Sequence, residues 1–175
     1  RADLDAFGLL SHQRAQAATD NGYFKEEVVP LNIKLEDDSV DVHLVDEGIR
    51  GAATLEGMQS LKTLREGGVI TAGTASQISD GSAAIMIANE MAVAKYNLPV
   101  RAKIHSLAVV GSDPVIMLEG PIPATHKVLQ KAGLTIDDID LYEVNEAFGS
   151  VPLAWAKAVG ADLDKLNVNG GAQAL

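Results

Sequence analysis

The sequence predicts an α/β fold in which helices cover mixed sheets in layers. Three observations carry that expectation. β-rich stretches and helical periodicities alternate from residue 100 to residue 168, with short connections between them. The segment 80–96 is apolar on nearly every side, as a helix buried between two layers has to be. Of the 175 residues, 47% are apolar, enough for a sizeable core and too many for a disordered chain.

The elements follow in order. Residues 3–21 read as a helix: Asp3 is a candidate cap, Leu4, Phe7, Leu10, Ala15 and Ala18 recur near helical spacing, and Asn21-Gly22 stops it. Residues 28–34 and 40–45 are β-rich and joined by the acidic turn Glu36-Asp37-Asp38-Ser39. Thr54 opens a short helix that carries Leu61 and Leu64 before Gly67-Gly68. Residues 69–71 read as a strand entering Ala72-Gly73-Thr74-Ala75-Ser76, a loop of small residues. Asp80-Gly81-Ser82 starts the apolar helix, which reaches Tyr96 and ends at Asn97-Leu98-Pro99. Then come a strand at 100–110, a helix at 121–132 stopped by Gly133, a strand at 139–144, a helix at 146–159 and a last strand at 166–168.

The formal charge of −10 argues against a general nucleic-acid or anionic-membrane partner, because no broad basic face is present to neutralise phosphates. Without cysteine there are no disulfides and no thiolate metal sites. His12, His43, His105 and His126 show no ligand spacing, so no metal is expected. The apolar runs are too short to span a membrane, and a cytoplasmic location is expected. The chain opens on Arg1 rather than Met, so a targeting signal would lie upstream, and both ends read as cut.

Five motifs have the composition of ligand-facing turns. Asn145-Glu146-Ala147-Phe148 follows a strand and precedes a helix; Asn145 there either caps the helix or orients a water or substrate oxygen where negative charge develops. Glu146 complements the helix dipole, and Phe148 serves as core or as a ligand wall. The loop 71–76 lets a ligand approach the backbone closely. Asp46-Glu47-Gly48-Ile49-Arg50 offers a guanidinium that forms a surface ion pair or suits a phosphate. The stretch 111–117 followed by Gly120-Pro121-Ile122-Pro123 fixes a long turn before a helix. Asn167-Val168-Asn169-Gly170-Gly171-Ala172 is a strand-to-helix turn.

In their order along the chain these motifs resemble those of the thiolases, which make or break a carbon–carbon bond between acyl-CoA units. The resemblance covers nearly the whole chain and implies an incomplete thiolase-like layered fold with an α+β loop domain. It implies a CoA-covering loop domain at 1–77, the last part of the N-terminal half at 78–98, and a truncated C-terminal half at 99–175. It implies that Asn145 holds the water of an oxyanion hole and that Ser76 lies along the pantetheine arm of CoA. It also implies that Arg50 faces the nucleotide end, that Ala147 and Phe148 line the CoA and acyl cleft, and that Met117 lines the acyl pocket. Thr74 stands where the family commonly has asparagine, and Gln77-Ile78-Ser79 where it commonly has Gly-Leu-Asn.

In the family one cysteine is acylated and a second moves a proton to and from the α-carbon of acetyl-CoA. Here the first would lie upstream of Arg1, and the second, with the catalytic histidine, beyond Leu175. The resemblance therefore implies part of an acyl-CoA acetyltransferase, acting by CoA-dependent thiolysis of 3-ketoacyl-CoA or by the reverse Claisen condensation. This chain alone is expected to be inactive. Coenzyme A or acyl-CoA is the implied substrate, with no metal, and a homodimer or homotetramer is the implied assembly. The apolar run Val151-Pro152-Leu153-Ala154-Trp155 leans toward the degradative direction. The alternative is a non-catalytic thiolase-like protein that binds acyl-CoA or lipid. An unrelated nucleotide-binding domain ranks last, because neither Gly-x-Gly-x-x-Gly nor Gly-Lys-Ser/Thr is present.

Overall fold

The computed structural model describes residues 1–175, which fall into two units: residues 1–77 with 136–175, and residues 78–135. The first unit is built around a long helix, α1 (Ala2–Asp20), with Asp3 and Asp5 in its first turn where they favour the positive end of the helix dipole. The helix starts one residue earlier than expected. Asp3 is not its cap, and Arg1 stands at that position without a side-chain cap bond. Arg1 instead ion-pairs with buried Asp5 at 2.7 Å and donates to the carbonyl of Met58 at 2.9 Å. The other end closes as anticipated: Gly22 takes φ +73°, and the amides of Gly22 and Tyr23 return to the carbonyls of Thr19 and Ala18.

Leu4, Phe7, Ala15 and Ala18 form the buried stripe of α1, while Leu10 is only half-buried. Asp5, Ser11 and His12 are buried beside that stripe. A buried helix face carrying this many polar groups has to supply them with partners, and those partners form the site described below.

The hairpin is shorter than its β-rich sequence: β1 (Leu31–Lys34) pairs antiparallel with β2 (Val40–His43), and all eight residues are exposed. Helix α2 (Leu55–Ser60) begins as expected, with the Thr54 hydroxyl accepting from the Gly57 amide at 3.1 Å. It ends at Leu61, so Leu64 lies beyond it. The expected strand at 69–71 is reduced to one antiparallel bridge, Thr63 to Thr71, before a 3-10 turn over Ala72–Thr74.

The expected strands at 139–144 and 166–168 run beside each other but share one parallel bridge, Tyr142 to Leu166. The ladder stops at Asn167: its amide still donates to the Tyr142 carbonyl at 2.9 Å, but at φ +46° its own carbonyl does not continue the pairing. Its side-chain amide then supplies the next rung: Oδ1 accepts from the Val144 amide at 2.8 Å, and Nδ2 donates to the Val144 carbonyl at 2.9 Å. The helix expected at 146–159 begins only at Ser150, runs to Val159 and ends on Gly160 at φ +74°. Trp155 on this helix packs edge-on against Tyr142, with ring centroids 5.3 Å apart.

In the second unit the expected helix at 80–96 is confined to Glu90–Tyr96, capped by Asn89 and by left-handed Asn97. A segment apolar on all sides gains its helical stability from burial between layers. Ile85, Met86 and Ile87 are exposed here, so that gain is missing ahead of the cap. The expected strand at 100–110 does not form: these residues have no ladder partner, and a strand is defined by its ladder. The helix at Pro121–Ala132 agrees with expectation, with Pro121 at its first position and Gly133 at φ +70° as its stop. Lys127 and Lys131 on it donate to the carbonyls of Val109 and Leu107.

Candidate functional site

Four of the five motifs meet within the first unit. The small-residue loop runs antiparallel to the Asn145 motif: the Ser76 amide donates to the Ala147 carbonyl at 3.0 Å, the Gly149 amide to the Thr74 carbonyl at 2.9 Å, and Ala75 bridges Phe148. Ser76 is exposed, and Ala147 and Phe148 beside it are half-buried. Thr74 faces inward; its hydroxyl accepts from the Thr71 amide at 2.9 Å and closes the turn, which leaves it no free group for a ligand.

Gln77 carries the next link. Its amide donates to the Ala172 carbonyl at 3.0 Å, and its side-chain nitrogen lies near the carbonyls of Gly48 (2.8 Å), Gln173 (3.1 Å) and Ala174 (3.1 Å). The turn 46–50 and the turn 169–174 are thereby held to the end of the small-residue loop. Arg50 is placed from the other side, its backbone amide donating to His12 Nδ1 at 3.1 Å. The Arg50 guanidinium is exposed and reaches only the Glu47 carbonyl, at 3.3 Å, so it is not an acidic residue's ion-pair partner. Burial of the His12 ring lowers its pKa, the Arg50 charge lowers it further, and Glu146 acts weakly the other way. A neutral ring is what an Nδ1 acceptor requires.

Asn145 is exposed at the turn between the extended segment and the helix. Gly149, not Asn145, is the residue preceding Ser150–Val159, so Asn145 does not cap that helix. The residue beneath it is the one that sequence reasoning undervalued. Glu146 is 1% exposed and does not decorate a helix dipole. Its carboxylate accepts from Ser11 Oγ at 2.7 Å, from Asn167 Nδ2 at 2.8 Å and from the Gln173 amide at 3.1 Å. Ser11 in turn accepts from the Gly171 amide at 3.1 Å. The glycine pair of the last motif is explained by this packing. A Cβ on Gly171 would stand 2.5 Å from the Glu146 carboxyl carbon, and one on Gly170 2.6 Å from the Ala15 methyl.

Gln173 is buried as well, and neither atom of its side-chain amide has a partner within the chain. The polar residues of α1 and the Asn167 amide were the available signals for this network. Each reads as ordinary helix or turn until the packing brings them to one carboxylate.

Met117 belongs to the second unit. It sits at φ +43°, unusual for a side chain with no short polar group, in a turn where Asp113 accepts from the amides of Val115 (2.8 Å) and Ile116 (3.0 Å). Those two donors hold the Asp113 carboxyl below its ordinary range. Ser112 closes the turn on the Met117 carbonyl, and Val115, Ile116 and Met117 are left exposed. No cluster of His, Cys, Asp or Glu has the arrangement to hold a metal ion. No helix is long and apolar enough to cross a membrane.

Residues 1–91 match the thiolase N-terminal domain family model, and residues 98–175 match the thiolase C-terminal domain model. All of the chain aligns with the steroid 3-ketoacyl-CoA thiolase of Mycobacterium tuberculosis at 49% identity, over 42% of that protein's length. It aligns likewise with the mitochondrial 3-ketoacyl-CoA thiolase of Pongo abelii at 45% identity, over 44% of its length. Among solved structures, that of human mitochondrial 3-ketoacyl-CoA thiolase in complex with CoA is similar with a TM-score of 0.92 at 44% identity. That of the Bacillus anthracis acetyl-CoA acetyltransferase is similar with a TM-score of 0.95 at 39% identity. Each is covered over all of this chain and over 43% and 44% of its own. The α/β architecture is thus that of a thiolase, and this chain belongs to the thiolase family. It spans less than half the length of these relatives.

Proposed function

We propose that this chain is part of a longer acyl-CoA acetyltransferase that cleaves 3-ketoacyl-CoA with CoA, or runs the reverse condensation. The observation that carries the reading is that hydrogen bonds hold the Asn145 turn, the Ser76 loop, the Arg50 turn and the Gly170-Gly171 turn together within one unit, in a chain of this family. Asn145 is the catalytic residue of the set. Its exposed amide orients a water toward the carbonyl oxygen that becomes an oxyanion, where a fixed dipole stabilises the transition state more than the ground state. Ser76 lies along the pantetheine arm. Arg50, free of an acidic partner, meets the phosphate-bearing nucleotide end, and Ala147 and Phe148 wall the cleft beside them. Met117 walls the acyl pocket with a flexible thioether.

The thiolate nucleophile and the proton-shuttling cysteine come from residues outside these 175, since the chain has none. Residues 1–77 serve as the CoA-covering region, 78–98 as the end of the N-terminal half and 99–175 as part of the C-terminal half. A homodimer or homotetramer acting in the cytoplasm completes the proposal. The second reading is a thiolase-like protein that binds acyl-CoA or lipid without turnover, which a longer parent protein lacking both catalytic cysteines would support.

Two assays separate these. The 175-residue polypeptide alone releases no acetyl-CoA from a 3-ketoacyl-CoA, and product formation by it would contradict the proposal. The intact mass of the native gene product decides the rest. A mass about twice 18.4 kDa, with two reactive cysteines, supports the enzyme, and a cysteine-free product supports the binding protein.

A further inference from the structure

We propose that Glu146 is the positioning residue of the Asn145 site, an inference that rests on the thiolysis reading above. Asn145 itself is exposed, and rigid placement of an exposed amide has to come from its neighbours. Its sequence neighbour Glu146 points the opposite way, into the first unit, and both carboxylate oxygens accept hydrogen bonds.

The donors come from three separate places in the chain. Ser11 is on α1, Asn167 holds Val144 just ahead of the turn, and the Gln173 amide belongs to the glycine turn. Gly171 joins the same array through Ser11, whose hydroxyl accepts from the Gly171 amide and donates to Glu146. One side chain therefore fixes the backbone on which Asn145 sits relative to α1 and to the turn 169–174. Asn167 clamps the preceding residue from both its N–H and its C=O.

The geometry also requires a carboxylate rather than an amide. In Glu146→Gln one of the two positions becomes an NH2 group. On the Asn167 side it faces the Asn167 NH2; on the other it faces the Gln173 N–H and the Ser11 hydroxyl. Either orientation sets donor against donor in a buried place without changing side-chain volume. Asn145 then loses its placement while every proposed CoA contact remains.

The experiment is a double-mutant cycle in the longer cysteine-bearing polypeptide, with Glu146→Gln, Asn145→Ala and both together, measured as kcat and KM for CoA per folded protein. Glu146→Gln is expected to lower kcat at least about tenfold with KM within about threefold, because the interaction lost acts in the transition state. In the Asn145→Ala background the same change is expected to cost less than about twofold, since a residue acting through Asn145 has nothing left to position.

Equal costs in the two backgrounds, or a loss accounted for by the unfolded fraction, would overturn the proposal. If the wild type shows no thiolysis, the functional reading fails instead. Glu146 is then decided by amide hydrogen exchange, which is expected to quicken at 145–149 and 170–173 in Glu146→Gln; unchanged exchange there sinks the inference.

Discussion

At the residue scale, the site is defined less by the groups that face outward than by the partners behind them. Asn145, Ser76 and Arg50 are exposed, while Glu146, Asn167, Ser11 and His12 beneath them are buried and hydrogen bonded. His12 gives this arrangement a pH signature. Its folded pKa lies below the ordinary 6.5, so near and below that value the unfolded chain binds the proton more readily than the folded one. The stability contributed by the neutral ring is fully present above pH 6.5 and is lost as pH falls through 6.5 toward the lowered value. His12→Asn keeps an acceptor for the Arg50 amide and removes the titration. Melting temperatures measured from pH about 7 to about 5 are expected to fall less steeply in this variant than in the wild type. Identical slopes would show that His12 does not report the placement of Arg50.

At the element scale, the parts legible in the sequence were those whose signals are local. α1, the helix at Pro121–Ala132 and the start of α2 rest on caps, glycine stops and periodicity, and they form close to where these signals place them. The strands at 100–110, 139–144 and 166–168 depend on ladders with other strands, and pattern alone does not provide a partner. Asn167 makes the point in one residue: it reads as the end of a strand, and it breaks that strand while replacing the lost rung with its own side chain. The turns of the site are joined in the same non-local way through Gln77. Its side-chain nitrogen serves three carbonyls. Gln77→Glu keeps the shape and turns a carboxylate toward those oxygens, so a loss of about 2 kcal/mol or more is expected in denaturant unfolding of the longer polypeptide. A change under about 0.5 kcal/mol would mean that the turns 46–50 and 169–174 are held together by other contacts.

At the scale of the whole molecule, family membership was legible because several motifs keep one order along the chain, and the family models match over residues 1–91 and 98–175. Ile85, Met86, Ile87, Ile104 and Leu107 of the second unit are exposed, and the chain spans less than half the length of the relatives it matches. The roles of single residues were less legible. Glu146 read as a helix-dipole complement because its burial depends on residues 135 and 27 positions away in sequence. The central claim is that Asn145 serves thioester carbon–carbon cleavage, and one measurement tests it most directly. CoA-dependent thiolysis of a 3-ketoacyl-CoA is to be followed in the longer polypeptide, with Asn145 intact and as Asn145→Ala. The expected result is turnover in the first and a fall of about a hundredfold or more in kcat in the second, with the fold and CoA binding retained. Thiolysis that proceeds undiminished without the Asn145 amide, or no thiolysis by the intact protein, would contradict it.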